Sequence, residues 1–265
     1  MVSLVNGLVE VMNFPDGTPK ISCQRVHGAH IFWAFNDISE MFTVYCITKH
    51  LRQNGANRIS LVMPYIPNAR MDRVKKPSEV FTLKYFCEFI NDLKFDRVYV
   101  VDPHSDVSTA LLNNVYVDAP TSYICQAAKS ISKVKGVDPV VLFPDAGAMK
   151  RYKDCVSQVG LNVVGYANKL RDWDTGEIKG LEICGQIEEG KPVLVVDDIC
   201  SYGGTFYNIC KRLNDMGVKD VYLYATHCED SVLKGDLIKS GLFQKLYTTN
   251  SLFTGTHEKI EVFEV

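Results

Sequence analysis

The sequence predicts an α/β protein in two halves, each a mainly parallel sheet flanked by helices. Three observations predict it. Near-continuous, β-branched apolar runs alternate with longer amphipathic stretches along the 265 residues, the pattern of parallel strands covered on both faces. Residues 113–122 (NNVYVDAPTS) interrupt the alternation with polar residues and a proline, dividing the chain into halves 1–119 and 120–265. Five strand candidates then run directly into segments rich in Asp, Arg, Lys, His or Gly. Sheets of this kind hold ligands at the carboxyl ends of their strands.

The strands expected are 58–63 (RISLVM), 97–102 (RVYVVD), 139–143 (PVVLF), 161–166 (LNVVGY), 192–196 (PVLVV) and 221–225 (VYLYA). Between them, amphipathic spacing predicts helices over 38–54, 78–93, 121–134, 148–159 and 205–216. Pro77-Ser78 opens the second of these helices, and Gly217 closes the last.

Composition narrows the partners. The chain carries 29 basic and 31 acidic residues, so a nucleic-acid surface is not expected. No run approaches the ~20 apolar residues that span a bilayer. The start, MVSLVNGLVE, has no basic flank and meets Glu10 early, so no signal peptide is expected. Nine cysteines stand singly with no CxxC pair, which fits reduced thiols packed as small hydrophobes in the cytoplasm.

The strand ends carry the chemistry. In VVDDICSYGGT, Asp197 and Asp198 follow an apolar run, and Ser201, Tyr202, Gly203, Gly204 and Thr205 form a short loop before a helix. Successive backbone N–H groups there can cradle a phosphate, and paired carboxylates can accept from the vicinal hydroxyls of a ribose or hold a cation. An acidic turn with Thr205 as helix cap reads equally from these residues alone. The loop lacks a Gly-Lys-Ser/Thr ending, which argues against a P-loop ATPase. PYIPNARMDR, residues 64–73, holds Arg70, Asp72 and Arg73. The fork of an arginine suits polyphosphate oxygens, although a solvated charged turn looks the same. His104 in VVDPHSD sits between Asp102 and Asp106, surroundings suited to a Mg²⁺ carried largely by phosphates and water. NKLRD at 168–172, ahead of WDTGEIKG, reads as a mobile loop with cations at its base.

Taken in order, these segments resemble the ribose-phosphate pyrophosphokinases, or phosphoribosyl-pyrophosphate (PRPP) synthetases. VVDDICSYGGT resembles the PRPP motif, with Ser201 where the family usually has a third acid. PYIPNARMDR is similar to the family's ATP-binding segment, with Met71 in place of a glutamine. VVDPHSD resembles its Asp-Leu-His motif, with Pro103 for the leucine. FPDAGAMKR, 143–151, resembles its Ser-Pro-Asp-x-Gly-x-x-x-Arg segment and brings in Asp145. FPDGT, 14–18, resembles a loop that reaches a neighbouring subunit's adenine, with Thr18 for a glutamate. The matches extend from Phe14 to the end of the chain, including Thr226-His227 and Thr249-Asn250-Ser251.

The resemblance implies two phosphoribosyltransferase-like domains, an ATP-binding N-terminal one and a C-terminal one with the ribose 5-phosphate loop. It implies Mg²⁺ as cofactor, with ATP and ribose 5-phosphate converted to PRPP and AMP. Phe14, Asp16, Arg70, Met71, Asp72, Arg73 and His104 are then the ATP-binding residues. Asp197, Asp198 and 201–205 hold ribose 5-phosphate, His104 and Asp145 the metal, and Lys169 and Arg171 stabilise the transferring group. The family also implies a homo-oligomer, dimer or hexamer. Relative to its pattern the chain reads as a short variant without the usual N-terminal unit and final helix. Two other readings stand beside it: a phosphoribosyltransferase that consumes PRPP, and a non-catalytic regulatory homologue.

Overall fold

The structure is a computed structural model that describes residues 1–171 and 178–265, without the side chains of residues 169–171, 178 and 179. The chain divides into two compact units, Met1–Asp118 and Ala119–Val265.

Unit 1 runs β1 (Val2–Leu4), β2 (Val9–Asn13), β3 (Pro19–Cys23), β4 (Gly28–Trp33), α1 (Glu40–Gln53), β5 (Arg58–Val62), α2 (Thr82–Asp92), β6 (Arg97–Val101), α3 (Asp106–Leu111) and β7 (Val115–Asp118). Its sheet has the order β1-β4-β5-β6-β7. The strands from β4 to β7 are parallel, and β1 runs antiparallel on the edge. Ile31, Trp33, Ile59, Leu61 and Met63 are sealed from solvent with Val44, Ile47 and Leu51 of α1 and Leu83 and Ile90 of α2. Trp33 is satisfied at its polar end, where Nε1–H donates to Glu40 Oε2 at 2.8 Å. β2 and β3 form a separate hairpin.

Unit 2 runs α4 (Thr121–Lys135), β8 (Val140–Phe143), α5 (Ala146–Gln158), β9 (Val163–Arg171), β10 (Ile178–Gly185), β11 (Val193–Cys200), α6 (Gly204–Asp215), β12 (Val221–Cys228), a 3₁₀ turn at Asp230–Lys234, α7 (Asp236–Lys239), β13 (Lys245–Thr249) and β14 (Ile260–Phe263). The sheet order is β10-β9-β8-β11-β12-β13-β14, parallel except for β10. Val193 to Val196 are fully buried, because β11 lies mid-sheet with both faces covered. That is why its sequence is a continuous apolar run. From β8 the chain goes to β9 on one side and later returns to β11 on the other, so the carboxyl ends of β8 and β11 flank a topological switch point.

All six expected strands and five expected helices are present, with altered ends. α2 starts at Thr82 rather than Ser78. Glu79 Oε2 instead accepts the Lys75 N–H at 2.8 Å, closing residues 75–79 as a loop, and Leu83 is the first buried side chain of the helix itself. β11 does not end at Val196 but carries Asp197 and Asp198 within the strand to Cys200. Residues 113–122 contain a strand, β7, and not only a break. β9 extends through Lys169 and Arg171, paired with β10. Of the loop expected over 173–180, residues 173–177 lie outside the described residues and 178–180 begin β10.

Candidate active site

In unit 2 the end of β11 brings two acids into unlike surroundings. Asp198 is 5% exposed and receives Arg151 of α5, Nη1 to Oδ2 at 2.7 Å. Asp197 Oδ1 accepts the backbone N–H of Asp198 at 3.0 Å. Burial, then the neighbouring charge of Asp198 and more weakly that of Asp145, holds the Asp197 carboxyl well above the ordinary carboxylate range. One acid is thus ion-paired, whereas burial and that neighbouring charge disfavour ionisation of the other.

The loop after β11 ends in a helix terminus left open. Gly203, at φ +81°, is the N-cap of α6 and supplies no side-chain hydrogen bond to its first amides. A left-handed backbone there suits glycine, and a Cβ would also come within 2.6 Å of Leu237 Cδ2. The first turn of α6 carries no acidic residue, and a Cβ on Gly204 would meet nothing within 4 Å. By contrast α5 is closed, because Asp145 caps it by accepting the Ala148 N–H at 2.9 Å. An open amino end of a twelve-residue helix beside two acids is suited to an anion joined to a hydroxyl-bearing group.

At the next strand, β12, the polar residues turn inward. Thr226, His227, Thr249 and Ser251 are all buried. His227 Nδ1 and Ser251 Oγ are 2.7 Å apart, and Thr249 Oγ1 donates to the Thr226 carbonyl at 2.7 Å. These residues brace the strand ends, with His227 only 2% exposed.

In unit 1, β5 and β6 are neighbours, so residues 64–73 and 102–106 leave the same end of the sheet. The Val101 N–H donates to the Pro64 carbonyl at 3.0 Å, joining the two segments at their bases. Residues 63–67 are buried, whereas Arg70 and Arg73 are exposed. Arg73 Nε lies 3.7 Å from Asp72 Oδ1. Asp102 is 3% exposed at φ +41° and begins the turn into His104, which is half-buried. A left-handed aspartate is uncommon and marks a held backbone.

FPDGT forms the tip of the β2–β3 hairpin. Asp16 Oδ1 accepts both the side-chain hydroxyl of Thr18, at 2.7 Å, and its N–H, at 2.9 Å. The two bonds, the hydroxyl's first, hold the Asp16 carboxyl below its usual range. Phe14 is 52% exposed at this tip.

The structure therefore gathers Asp197, Asp198 and the 201–205 loop at one strand end of unit 2, with Asp145 at the neighbouring strand of the switch point. Arg70 and His104 share a sheet end in unit 1. Lys169 and Arg171 lie on the backbone of β9, and their side chains are outside the described residues. Among the described residues no three His, Cys, Asp or Glu side chains group as a metal centre. Sequence reasoning quoted Arg151 without giving it a role, and it missed Glu229. Arg151 stood within the FPDAGAMKR segment six residues after Asp145, where helix geometry turns it toward the same strand ends. No local pattern marks Glu229, since its neighbour Ser201 lies 28 residues away.

Residues 4–93 match the N-terminal domain of ribose phosphate pyrophosphokinase. A ribose-phosphate pyrophosphokinase from Sulfolobus acidocaldarius is 27% identical over 272 residues, covering 99% of this chain and 91% of that one. The chain belongs to the ribose-phosphate pyrophosphokinase family. The enzyme of that name from Saccharolobus solfataricus is 27% identical over 188 residues, which span 71% of this chain and 63% of the relative. A phosphoribosylpyrophosphate synthetase from Mycobacterium smegmatis superposes with a TM-score of 0.81 at 20% identity, covering 97% of this chain and 86% of that one. That likeness shows the shared fold, two α/β units of the phosphoribosyltransferase type. Among the described residues no helix is long and apolar enough to cross a membrane.

Proposed function

We propose that this pyrophosphokinase-family chain acts as a ribose-phosphate diphosphokinase, transferring pyrophosphate from Mg-ATP to ribose 5-phosphate. The C1 hydroxyl oxygen of the sugar attacks the β-phosphorus in line. The bond from that phosphorus to the bridging α–β oxygen breaks, and AMP leaves with that oxygen. The hydroxyl proton is released, and the sugar becomes PRPP. The observation that carries this reading is the open amino end of α6 beside the unlike pair Asp197 and Asp198.

In this reading the amides of Ser201, Tyr202, Gly203, Gly204 and Thr205 hold the 5-phosphate, and Asp197 and Asp198 accept from the ribose hydroxyls. Arg70, Met71, Asp72, Arg73 and His104 serve ATP, as do Phe14 and Asp16 at the hairpin tip. The hairpin residues would act on a neighbouring subunit of a homo-oligomer. Lys169 and Arg171 stabilise the charge on the transferring group, since such reactions depend on positioning and electrostatics. The oxygen donors of Asp145 and the concentration of acids around it fit Mg²⁺, which takes few protein ligands and several from phosphates and water. His104 is the nitrogen position assigned to the same role. Bound Mg²⁺ would neutralise phosphate charge. The reading places the enzyme in the cytoplasm, with small-molecule substrates only.

A phosphoribosyltransferase would need the 201–205 loop but not unit 1, whose match to a pyrophosphokinase N-terminal domain then has no purpose. A regulatory homologue would need neither the open helix end nor the ion-paired acid. Incubating pure protein with Mg-ATP and ribose 5-phosphate should release AMP in proportion to the sugar added. AMP release no faster than without sugar would overturn the proposal.

A further inference from the structure

The loop's first residue is tied to a carboxylate from a different strand. Cys200 and Cys228 are paired across the parallel β11–β12 ladder, and the Glu229 N–H donates to the Cys200 carbonyl at 2.8 Å as its last rung. Ser201 and Glu229 therefore leave the sheet side by side. Ser201 Oγ–H donates to Glu229 Oε2 at 2.6 Å, and Ser231 Oγ–H donates to the same oxygen at 3.0 Å. The two hydroxyl oxygens are 3.3 Å apart. Beyond Glu229 the chain backs the loop closely: a Cβ on Gly235 would fall 2.0 Å from the Tyr202 carbonyl oxygen. Position 201 is also where the motif discussed above departs from an acid to a serine.

We infer that Glu229 supplies the loop's carboxylate from the neighbouring strand and is a positioning residue for the 5-phosphate end of the sugar. Through Ser201 it fixes where the loop begins, and so the direction in which the amides of 201–205 point. Hydrogen bonds to an ionised acceptor are stronger than neutral ones and hold a hydroxyl in one rotamer. Ser201 and Glu229 follow paired positions of the β11–β12 ladder. An acid placed at 201 would stand against Glu229 with like charge, so restoring the motif at that single position harms the site.

This inference rests on reading 201–205 as the acceptor phosphate loop. The test is a charge swap in the full chain: Ser201→Asp, Glu229→Ser, and both together, with Glu229→Gln as the conservative variant. Ribose 5-phosphate binding is measured by calorimetry, and the KM and kcat of AMP release are measured separately. Each single swap should weaken ribose 5-phosphate binding roughly tenfold or more, the size of losing one hydrogen bond to a charged group. The double variant should recover to within about threefold of wild type, the non-additivity of two residues in contact. Glu229→Gln, which keeps a side-chain oxygen for both serines but not the charge, should weaken binding less than Glu229→Ser does. In every variant the change should fall on the KM for the sugar, with the KM for ATP and kcat little moved.

A Ser201→Asp protein that binds ribose 5-phosphate as well as wild type would overturn the inference, as would a double variant as weak as the sum of its singles. Should the singles unfold, recovery of both melting point and binding in the double variant still supports the pairing, and failure to recover either refutes it. Variants that show the swap pattern in binding, beside a wild type that releases no AMP, would refute the diphosphokinase reading and leave Glu229 in its role. A wild type that binds no ribose 5-phosphate would sink both.

Discussion

Arg151 Nη1 lies 2.7 Å from Asp198 Oδ2, and this ion pair makes two adjacent acids chemically unlike. Asp198 is ion-paired, whereas the half-buried Asp197 beside it has its pKa raised, by desolvation first and then by the charge of Asp198.

Removing the Asp197 charge should stabilise the fold while disabling the site. A carboxyl whose pKa is raised on folding lowers stability as pH climbs from about 4, its unfolded value, through the higher folded value. Below that window the folded and unfolded forms are both protonated and the penalty vanishes. Asp197→Asn should therefore raise the melting midpoint at pH 7 by roughly 2–4 °C for each kcal/mol relieved. The gain over wild type should shrink toward zero near pH 4, and AMP release should be abolished. A lower midpoint at pH 7, read by scanning calorimetry, would contradict this account of Asp197.

The ion pair itself is worth measuring by denaturant unfolding. Arg151→Ala removes a cationic partner of Asp198, a residue only 5% exposed. Loss of one partner from a fully buried pair costs about 3–5 kcal/mol. Because the Arg151 side chain is 34% exposed, the cost here should be smaller, roughly 1–3 kcal/mol. The double variant Arg151→Ala/Asp198→Asn should recover most of it.

Two glycines should separate folding from binding. Gly204 has open space where a Cβ would go, and Gly235 has the Tyr202 carbonyl oxygen at 2.0 Å. Gly204→Ala should leave the melting point unchanged yet raise the KM for ribose 5-phosphate roughly tenfold by crowding the open helix end. Gly235→Ala should lower the melting point, because backbone cannot move aside as a side-chain tip can. Equal effects of the two on stability would contradict the geometry.

Lys169→Ala and Arg171→Ala test the role assigned to β9. Each should lower kcat by roughly 10²–10³, the loss typical of one transition-state charge stabiliser, with the KM for ribose 5-phosphate nearly constant. Rapid-quench measurement of AMP formation separates the chemical step from product release. Unchanged turnover would remove these residues from catalysis.

The fold was legible where burial dictates composition. β5, β6, β8, β11 and β12 are interior strands, and their apolar runs announced them. Elements at the margins carried weaker marks. β7 is an edge strand whose Tyr116 and Val117 are half exposed, so with asparagines and a proline around it the segment read as a break. β10, also an edge, contains two glycines and alternates polar residues. β11 was cut short because two acids look like a strand's end. Arg151 and the backbone contact between the acids are what let the ladder continue.

The site was legible to the extent that it is local. An N–H cradle needs glycines and a following helix, and both show in eleven consecutive residues. Arg151 and Glu229 reach that loop from α5 and from the end of β12, contacts that only the parallel sheet order creates.

The most direct test of the central claim is where the β-phosphorus of ATP goes. Phosphorus NMR of the protein with Mg-ATP and ribose 5-phosphate should show AMP and a new diphosphate on the sugar's C1 oxygen rising together in equal amounts. Formation of ADP with a singly phosphorylated C1, or signals that ignore the added sugar, would contradict it.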